Sequence, residues 1–274
     1  MKQETIEKLK KLTNKKYIIF MNKCREAAEL IMRYAKKTNY DSLILQEEGG
    51  WHTYEKSAKK IGLNVLFAKM NEGQLIKQEF PQKKALIIIN TNPGYAYTEP
   101  LKFYDELKKT QSLIINDVVG SIGEDTAKKG DYLIGSFGKD KPLTISTGGA
   151  FIALNDENTL NELLKIKQEY YRCAGEQINF NELNAAIDNL ENKKNNWINH
   201  SNKIKKELKT KGYTILNQKP SINIFVEINE KTNTDERENL IKFCNAHNLE
   251  YQKCPLYIRT IKNAISIEIK KIKR

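Results

Sequence analysis

The sequence predicts an α/β protein in which a large domain with a mainly parallel sheet precedes a small α+β domain. Short apolar segments of strand length recur along the first half of the chain, and helical patterns separate several of them. Strands that alternate with helices favour parallel pairing. Near the C-terminus the order changes to a long helix, a strand, a helix and a last strand. We therefore place the large domain at residues 1–180 and the small domain at residues 181–274.

Apolar segments of five or six residues are the strand candidates of the large domain. They are KYIIF (16–20), SLILQ (42–46), NVLFA (64–68), ALIIIN (85–90), SLIIND (112–117) and YLIGSF (132–137). The segments between them with apolar residues at a period of about 3.6 residues predict helices. These are REAAELIMRYAKK (25–37), TYEKSAKKIG (53–62) and EPLKFYDELKKT (99–110). In such an arrangement functional groups gather where the strands end.

The small domain begins with an amphipathic pattern from about Asn181 to Leu208, which predicts one long helix. A strand at 222–228, a helix at 236–248 and a strand at 264–272 follow it. Neither an internal repeat nor a low-complexity linker interrupts the chain. We therefore expect the two domains to pack closely.

The composition favours a globular protein of the cytoplasm. The chain has 274 residues, of which 39% are hydrophobic, and no stretch approaches the roughly 20 apolar residues of a membrane-spanning helix. A charged helical pattern follows Met1, so we expect no secretory signal. The four cysteines lack C-x-x-C spacing, which indicates reduced structural thiols and no metal site. The net charge of +12 is spread along the chain without a nucleic-acid recognition motif, so we expect no nucleic-acid binding.

Three polar residues lie where predicted strands end. Asp117 ends SLIIND, Ser136 lies at the end of the next strand, and Lys141 follows in a short loop. A buried carboxylate is unfavourable unless a positive group meets it, although Asp117 by itself is also compatible with a turn or a helix cap. A pyridoxal phosphate site requires a carboxylate that pairs with the pyridine nitrogen, a hydroxyl that binds the phosphate and a lysine that forms an imine.

The order and spacing of these residues resemble the DegT/StrS family of sugar aminotransferases, within fold type I of the pyridoxal phosphate enzymes. The resemblance extends over most of the chain. It is carried by IINDVVGSIG (114–123), by the S-F-x-x-x-K motif and Gly-Gly of GDYLIGSFGKDKPLTISTGGAFIALND (130–156), and by NELNAAIDNLENKK (181–194). It implies the fold type I architecture and pyridoxal 5'-phosphate as the cofactor.

The resemblance also implies roles for individual residues. Lys141 corresponds to the imine lysine, Ser136 to a phosphate ligand and Asp117 to the partner of the pyridine nitrogen. Lys139 is the competing lysine, and the family spacing from Ser136 selects Lys141. Trp51 corresponds to the aromatic residue that stacks on the cofactor ring, and burial in the core is its alternative.

Three further residues near the expected site have ordinary structural alternatives. His52 is more typical of a loop histidine than of a catalytic residue. Asn92 and Tyr95 belong to the turn NTNPGY (90–95) at the same edge of the sheet. Turn formation explains their residue types as well as a substrate contact does.

The chain departs from the family at the phosphate site. The family has a Ser-Gly-Thr turn at a helix N-terminus, whereas this chain has NKCREAAEL (22–30). We expect Lys23, Cys24 and Arg25 to lie at the phosphate, with Lys23 and Arg25 replacing hydroxyl donors by charge. The alternative that both are solvated residues of the helix start stays open.

Other departures concern the periphery of the site. Gly120 stands where the family has a Gln or His near the phenolic oxygen of the cofactor. Gln177 and Asn179 stand where the family has the Asn and Arg that reach the neighbouring subunit's site. The resemblance implies a homodimer with shared active sites, in which Gln177 and Asn179 contribute to cofactor binding across the interface.

The sequence therefore predicts an aminotransferase that moves the amino group of a donor such as glutamate to a keto sugar, linked to a nucleotide as in the family. Two alternatives stay open. One is a different fold type I activity, either a lyase or a desulfurase. A desulfurase needs a nucleophilic cysteine on a mobile loop, which would have to be Cys173 or Cys254. The other is a relative that binds the cofactor and has lost turnover.

Overall fold

The computed structural model describes residues 1–71, 74–76, 84–90, 101–216, 219–229, 235–256 and 258–271. Its strands are β1 (Tyr17–Met21), β2 (Ser42–Gln46), β3 (Gly49–Trp51), β4 (Asn64–Ala68), β5 (Met70–Asn71), β6 (Gln74–Leu75), β7 (Ala85–Asn90), β8 (Leu113–Asp117), β9 (Tyr132–Ser136), β10 (Ala150–Leu154), β11 (Ile224–Glu227), β12 (Tyr251–Cys254), β13 (Ile258–Arg259) and β14 (Ala264–Ile267). Its α-helices are α1 (Lys2–Thr13), α2 (Cys24–Lys37), α3 (Thr53–Ile61), α4 (Leu101–Leu107), α5 (Glu157–Tyr170), α6 (Phe180–Asp188), α7 (Leu190–Thr210) and α8 (Glu236–Ala246).

A seven-stranded sheet in the order β1-β10-β9-β8-β7-β2-β4 forms the centre of the large domain. β10 runs antiparallel to its neighbours β1 and β9. The pairs from β9 through β8, β7 and β2 to β4 are all parallel. This arrangement confirms the predicted α/β class with a mainly parallel sheet.

Inner strands of this sheet such as β2 and β7 are buried on both faces, which explains why they read as unbroken apolar runs. The edge strand β4 is partly exposed, with Leu66 and Phe67 at the surface. In β7, Ile88 belongs to a cluster formed with α2, α3 and α5. Its neighbours Ile87 and Ile89 face a second cluster that includes Leu107 of α4. α1 and α6 cover the sheet around β1, where Leu9 packs near Phe151. The polar residues that end β7, β8 and β9 therefore stand out from their strands.

The small domain contains the antiparallel sheet β11-β14-β12. α7 and α8 pack on it, with Leu208 and Leu240 in the same buried cluster as Ile265. The predicted strand at 264–272 is shorter than expected, because β14 ends at Ile267 and a 3₁₀ turn covers Ile269–Lys271. Among the α-helices and strands, those not predicted from the sequence are α5, β3, β5, β6, β10, β12 and β13.

The prediction of one long helix from about Asn181 to Leu208 was wrong. Two helices, α6 and α7, meet at Asn189, where φ is −93° and ψ is 4°. α6 packs on α1, since the Thr5 hydroxyl donates to Asn184 Oδ1 at 2.8 Å, whereas α7 continues into the core of the small domain. Each helix buries one face, so the apolar pattern runs through the break.

Among the residues that the structure describes, no helix is both long enough and apolar enough to cross a membrane.

Candidate active site

A cavity of about 660 Å³ lies where the carboxyl ends of β7, β8 and β9 meet the small domain. The large domain lines it with residues from the start of α2, from β3 and α3, from the ends of the three strands and from the loop after β9. The small domain contributes Ile222, Asn223, Gln252, Glu268, Lys270 and Lys271. The cavity is therefore shared by both domains.

Asp117 is buried at the cavity wall, with 5% of its surface exposed. The Tyr54 hydroxyl and the Asn90 side-chain amide each donate to Oδ2 at 2.7 Å. The Val119 N–H donates to Oδ1 at 3.1 Å. Burial raises the pKa of Asp117 above its ordinary value, and these donors together with Lys141 oppose that rise.

Lys141 and Lys139 both line the same cavity, but Lys141 is partly buried whereas Lys139 is exposed. Burial lowers the pKa of Lys141, the positive charge of Lys270 lowers it further, and Asp117 opposes both effects. The neutral amine is therefore easier to form at Lys141 than at an ordinary surface lysine. This contrast agrees with the choice of Lys141 over Lys139.

The loop that carries Lys141 is held at its backbone. The Lys141 N–H donates to Thr144 Oγ1 at 2.9 Å, and Thr144 Oγ1 donates back to the Lys141 carbonyl at 2.6 Å. Lys193 of α7 donates to the same carbonyl at 2.9 Å. Asp140 adopts a left-handed conformation with φ of 60°, which aspartate tolerates better than most residues. These contacts fix the backbone from which the Lys141 side chain extends.

The predicted phosphate end of the cavity is formed by Ser136, Lys23, Cys24 and Arg25, all of which line it. Ser136 ends β9, and α2 begins at Cys24 without a side-chain cap from Lys23. The first N–H groups of a helix have no intrahelical partner and favour anions. Lys23 and Arg25 are exposed, and Arg25 Nε lies 3.6 Å from Glu29.

Cys24, one of the residues of this phosphate end, also lies near the Tyr54 hydroxyl that donates to Asp117. Its Sγ is 3.9 Å from the Tyr54 hydroxyl. Burial raises the pKa of the Cys24 thiol, and the charge of Asp117 adds to this effect. The thiol is therefore protonated and a poor nucleophile.

Trp51 lines the cavity from β3 with 52% of its surface exposed, so its alternative as a core tryptophan is wrong. Gly120 also lines the cavity. His52 precedes α3 and is not part of the lining among the described residues. Asn92 and Tyr95 lie outside the described residues.

The chain does not bring Gln177 and Asn179 to its own cavity. Asn179 caps α6, since its Oδ1 accepts from the N–H groups of Asn181 and Glu182, each at 3.2 Å. Gln177 is exposed. Their contribution to a neighbouring subunit's site stays a prediction.

The small domain places a buried ion pair in the cavity wall. Glu268 and Lys270 are 3.0 Å apart, with 3% and 15% of their side chains exposed. The Ser266 hydroxyl donates to Glu268 at 2.8 Å and the Asn223 amide donates to it at 3.4 Å. Burial opposes ionisation of Glu268, but Lys270 and Ser266 outweigh it and the pKa of Glu268 lies below its usual value.

Sequence reasoning missed several residues of this site. Asn90 carries the same signal as Asp117, a polar side chain at the end of an apolar strand, and could have been found by it. Nothing in the sequence marks Tyr54 as a site residue except its position three residues after Trp51, in the first turn of α3. Glu268 and Lys270 lie more than 120 residues from Lys141 in the chain, and only the packing of the two domains brings them to it. In the described ranges, no group of His, Cys, Asp and Glu side chains could hold a metal ion.

No protein-family model matches this chain, and no curated protein sequence is similar to it. Solved structures do share its fold. A DegT DnrJ EryC1 StrS aminotransferase from Brucella abortus is 12% identical, with a TM-score of 0.70 over 97% of this chain and 84% of the other. Sphingomonas wittichii serine palmitoyltransferase is 14% identical, with a TM-score of 0.68 over 97% of this chain and 69% of the other.

A third similar structure is the E. coli GDP-4-keto-6-deoxy-D-mannose-3-dehydratase with bound hydrated PLP. It is 16% identical, with a TM-score of 0.68 over 91% of this chain and 76% of the other. At these identities the similarity establishes the fold. The chain therefore has the fold type I architecture that the sequence motifs predicted, a fold it shares with enzymes of different activities.

Proposed function

We propose that this protein is a pyridoxal phosphate-dependent aminotransferase that transfers the amino group of an amino acid donor to a keto sugar. The observation that carries the proposal is a single cavity lined by Asp117, Ser136 and Lys141. β8 and β9 are adjacent and parallel, so their carboxyl ends present these groups at one edge of the sheet. The fold shared with the Brucella abortus aminotransferase supports the same class.

The groups around the cavity fit pyridoxal phosphate. Lys141 would hold the aldehyde carbon through Nζ, and Asp117 would hold the ring nitrogen. The phosphate would lie at the first turn of α2 and the Ser136 hydroxyl, where Lys23 and Arg25 add positive charge. The exposed indole of Trp51 would cover one face of the ring.

The bound cofactor supplies an electron-withdrawing ring and an aldehyde that reacts with amines. Lys141 moves the proton at the substrate carbon and needs a neutral Nζ for this step. Burial and the neighbouring Lys270 favour that neutral form. Asp117 is held by three donors, and as a carboxylate it retains a proton on the ring nitrogen.

The sugar acceptor is supported by the wall that the small domain contributes. Asn223, Gln252, Glu268 and Lys270 present both donors and acceptors to the cavity. Hydroxyl groups of a sugar donate and accept hydrogen bonds in the same way. The three motif segments of the sequence favour the same substrate class.

The structure disfavours the desulfurase alternative. Cys173 is exposed but outside the described cavity lining, and Cys254 is buried in β12. Burial raises the pKa of Cys254 to about 11. A desulfurase needs a reactive thiolate at the site, and neither residue supplies one.

We further propose that the protein is a homodimer in which Gln177 and Asn179 of one subunit complete the other subunit's site. Gln177 is exposed and Asn179 holds the start of α6. Both therefore lie on a surface segment that a second subunit can contact.

The test of the proposed function is an absorbance titration of the purified protein with pyridoxal phosphate, followed by addition of glutamate. We expect a band near the visible edge from the lysine-bound cofactor, its loss on adding glutamate, and formation of the keto acid. Absence of the band in the folded protein would overturn the proposal. A band without keto acid from any amino donor would favour the non-catalytic alternative.

A further inference from the structure

The two oxygens of the Asp117 carboxylate differ in their hydrogen bonding. Oδ2 accepts from Tyr54 and from Asn90, each at 2.7 Å. Oδ1 accepts from the Val119 N–H at 3.1 Å. Each carboxylate oxygen accepts roughly two hydrogen bonds, so Oδ2 is saturated and Oδ1 keeps an acceptor position.

Tyr54 can act towards Asp117 only as a donor. It lies in the first turn of α3 with 2% of its surface exposed. Burial raises the pKa of its hydroxyl well above the ordinary value, and the charge of Asp117 adds to that rise. The hydroxyl therefore keeps its proton, which it donates to Oδ2.

Cys24 extends this arrangement towards the start of α2. Its Sγ lies 3.9 Å from the Tyr54 hydroxyl, and its protonated thiol is a weak donor. A thiol that donates to the Tyr54 oxygen leaves the tyrosine proton for Asp117. In this arrangement the Cys24 thiol donates to the Tyr54 oxygen, and the Tyr54 hydroxyl donates to Asp117.

We propose that Tyr54 is a positioning residue, which together with Asn90 saturates Oδ2 and so directs Oδ1 of Asp117 to the cofactor's ring nitrogen. The part that concerns the ring nitrogen rests on the proposed function. The hydrogen bond to Asp117 exists in the chain itself and can be tested without cofactor.

Loss of the Tyr54 hydroxyl has a defined direction of effect on Asp117. The groups that act on this carboxylate are the donors Tyr54, Asn90 and the Val119 N–H, and the charge of Lys141. All of them favour the ionised form, and burial opposes it. Removal of one donor therefore raises the pKa of Asp117 further.

The first experiment uses the full chain without cofactor and follows the Asp117 carboxyl by ¹³C NMR as a function of pH, with the signal assigned from Asp117→Asn. We expect the titration of Tyr54→Phe to move to higher pH than that of the unaltered protein. Tyr132→Phe is the matched control. It also removes a buried tyrosine hydroxyl, with 4% exposure, which bonds to Thr159 away from the cavity.

The second experiment adds ring-¹⁵N-labelled pyridoxal phosphate. In Tyr54→Phe we expect the ring nitrogen signal to move towards its unprotonated position, and kcat to fall about tenfold or more with KM little changed, as for loss of a hydrogen bond to a charged group. Tyr132→Phe should leave both unchanged.

An Asp117 titration that is unchanged in folded Tyr54→Phe would overturn the proposal, as would an unchanged ring nitrogen signal. If Tyr54→Phe fails to fold, Asn90→Ala removes the other donor to Oδ2 and is expected to give the same two shifts. Failure of the unaltered protein to bind pyridoxal phosphate would instead overturn the proposed function. That failure would leave the cofactor-free titration in place, so the two results are distinguishable.

Discussion

Ile258 of β13 pairs with Trp51 of β3 in a short antiparallel ladder that joins the small domain to the cavity wall. Next to this ladder, the Ile261 N–H donates to Glu48 Oε1 at 2.9 Å. Glu48 is buried, with 1% of its surface exposed. The backbone of the small domain therefore holds the segment that presents Trp51, and the cavity depends on both domains.

Lys141→Ala is expected to abolish covalent attachment of pyridoxal phosphate, whereas Lys139→Ala should retain it. Both lysines line the cavity, but Lys141 is partly buried with a lowered pKa, whereas Lys139 is exposed. Borohydride reduction followed by peptide mapping measures the attachment site. An adduct mapped to Lys139 in the unaltered protein would show that the assignment is wrong.

Asp117→Asn is expected to lower turnover far more than cofactor binding. The carboxylate would act mainly when charge develops on a bound ring in the transition state, whereas the residues of the predicted phosphate end would still hold the cofactor. The test measures kcat and the dissociation constant for pyridoxal phosphate in both the variant and the unaltered protein. Full activity in the variant would leave Asp117 with a structural role only.

Lys270→Gln is expected to shift the acid limb of the kcat profile to higher pH. Burial and the charge of Lys270 both lower the pKa of Lys141, so loss of the Lys270 charge raises the pKa of Lys141. At a given acidic pH, fewer molecules then carry a neutral Lys141 amine. The kcat profile reports groups in the enzyme–substrate complex. Lys139→Gln is the control, and equal shifts in both variants would contradict the specific effect of Lys270.

Gly135→Ala is expected to destabilise the fold by about 1–3 kcal/mol, the range for an overpacked core. Gly135 lies in β9, the strand that ends at Ser136. A Cβ at Gly135 would lie 2.1 Å from Cε1 of Phe151 in β10. At Gly138 the nearest heavy atom, Ser136 Oγ, would be 3.4 Å away, so Gly138→Ala is the matched control. Denaturant unfolding of both variants measures the difference, and equal midpoints would refute it.

Lys141→Ala chains mixed with Gln177→Ala/Asn179→Ser chains are expected to regain activity when subunits exchange. A shared dimer site would then contain intact residues from both chains. Serine at 179 retains an oxygen that can cap α6, so the double variant should fold. Light scattering checks the dimer. A monomer with bound cofactor, or exchange without recovered activity, would disprove the shared site.

The strand ends of the large domain could be predicted from the sequence because the signal is local. β2, β4 and β7 have the predicted bounds. β2 and β7 are buried and read as continuous apolar runs, and the edge strand β4 has the same apolar run although Leu66 and Phe67 are exposed. Asp117 and Ser136 follow from the same pattern. The break at Asn189 could not be predicted, because both helices bury a face and the apolar period continues across it.

The sequence by itself determined the parallel α/β architecture and the placement of Asp117, Ser136 and Lys141 at one edge of the sheet. Only the tertiary structure decided which groups surround them. Tyr54 reaches Asp117 across 63 positions of the chain, and Glu268 with Lys270 comes from the other domain. Such contacts depend on how packed elements face one another, and the local hydrophobic periods that define each element carry no information about that packing.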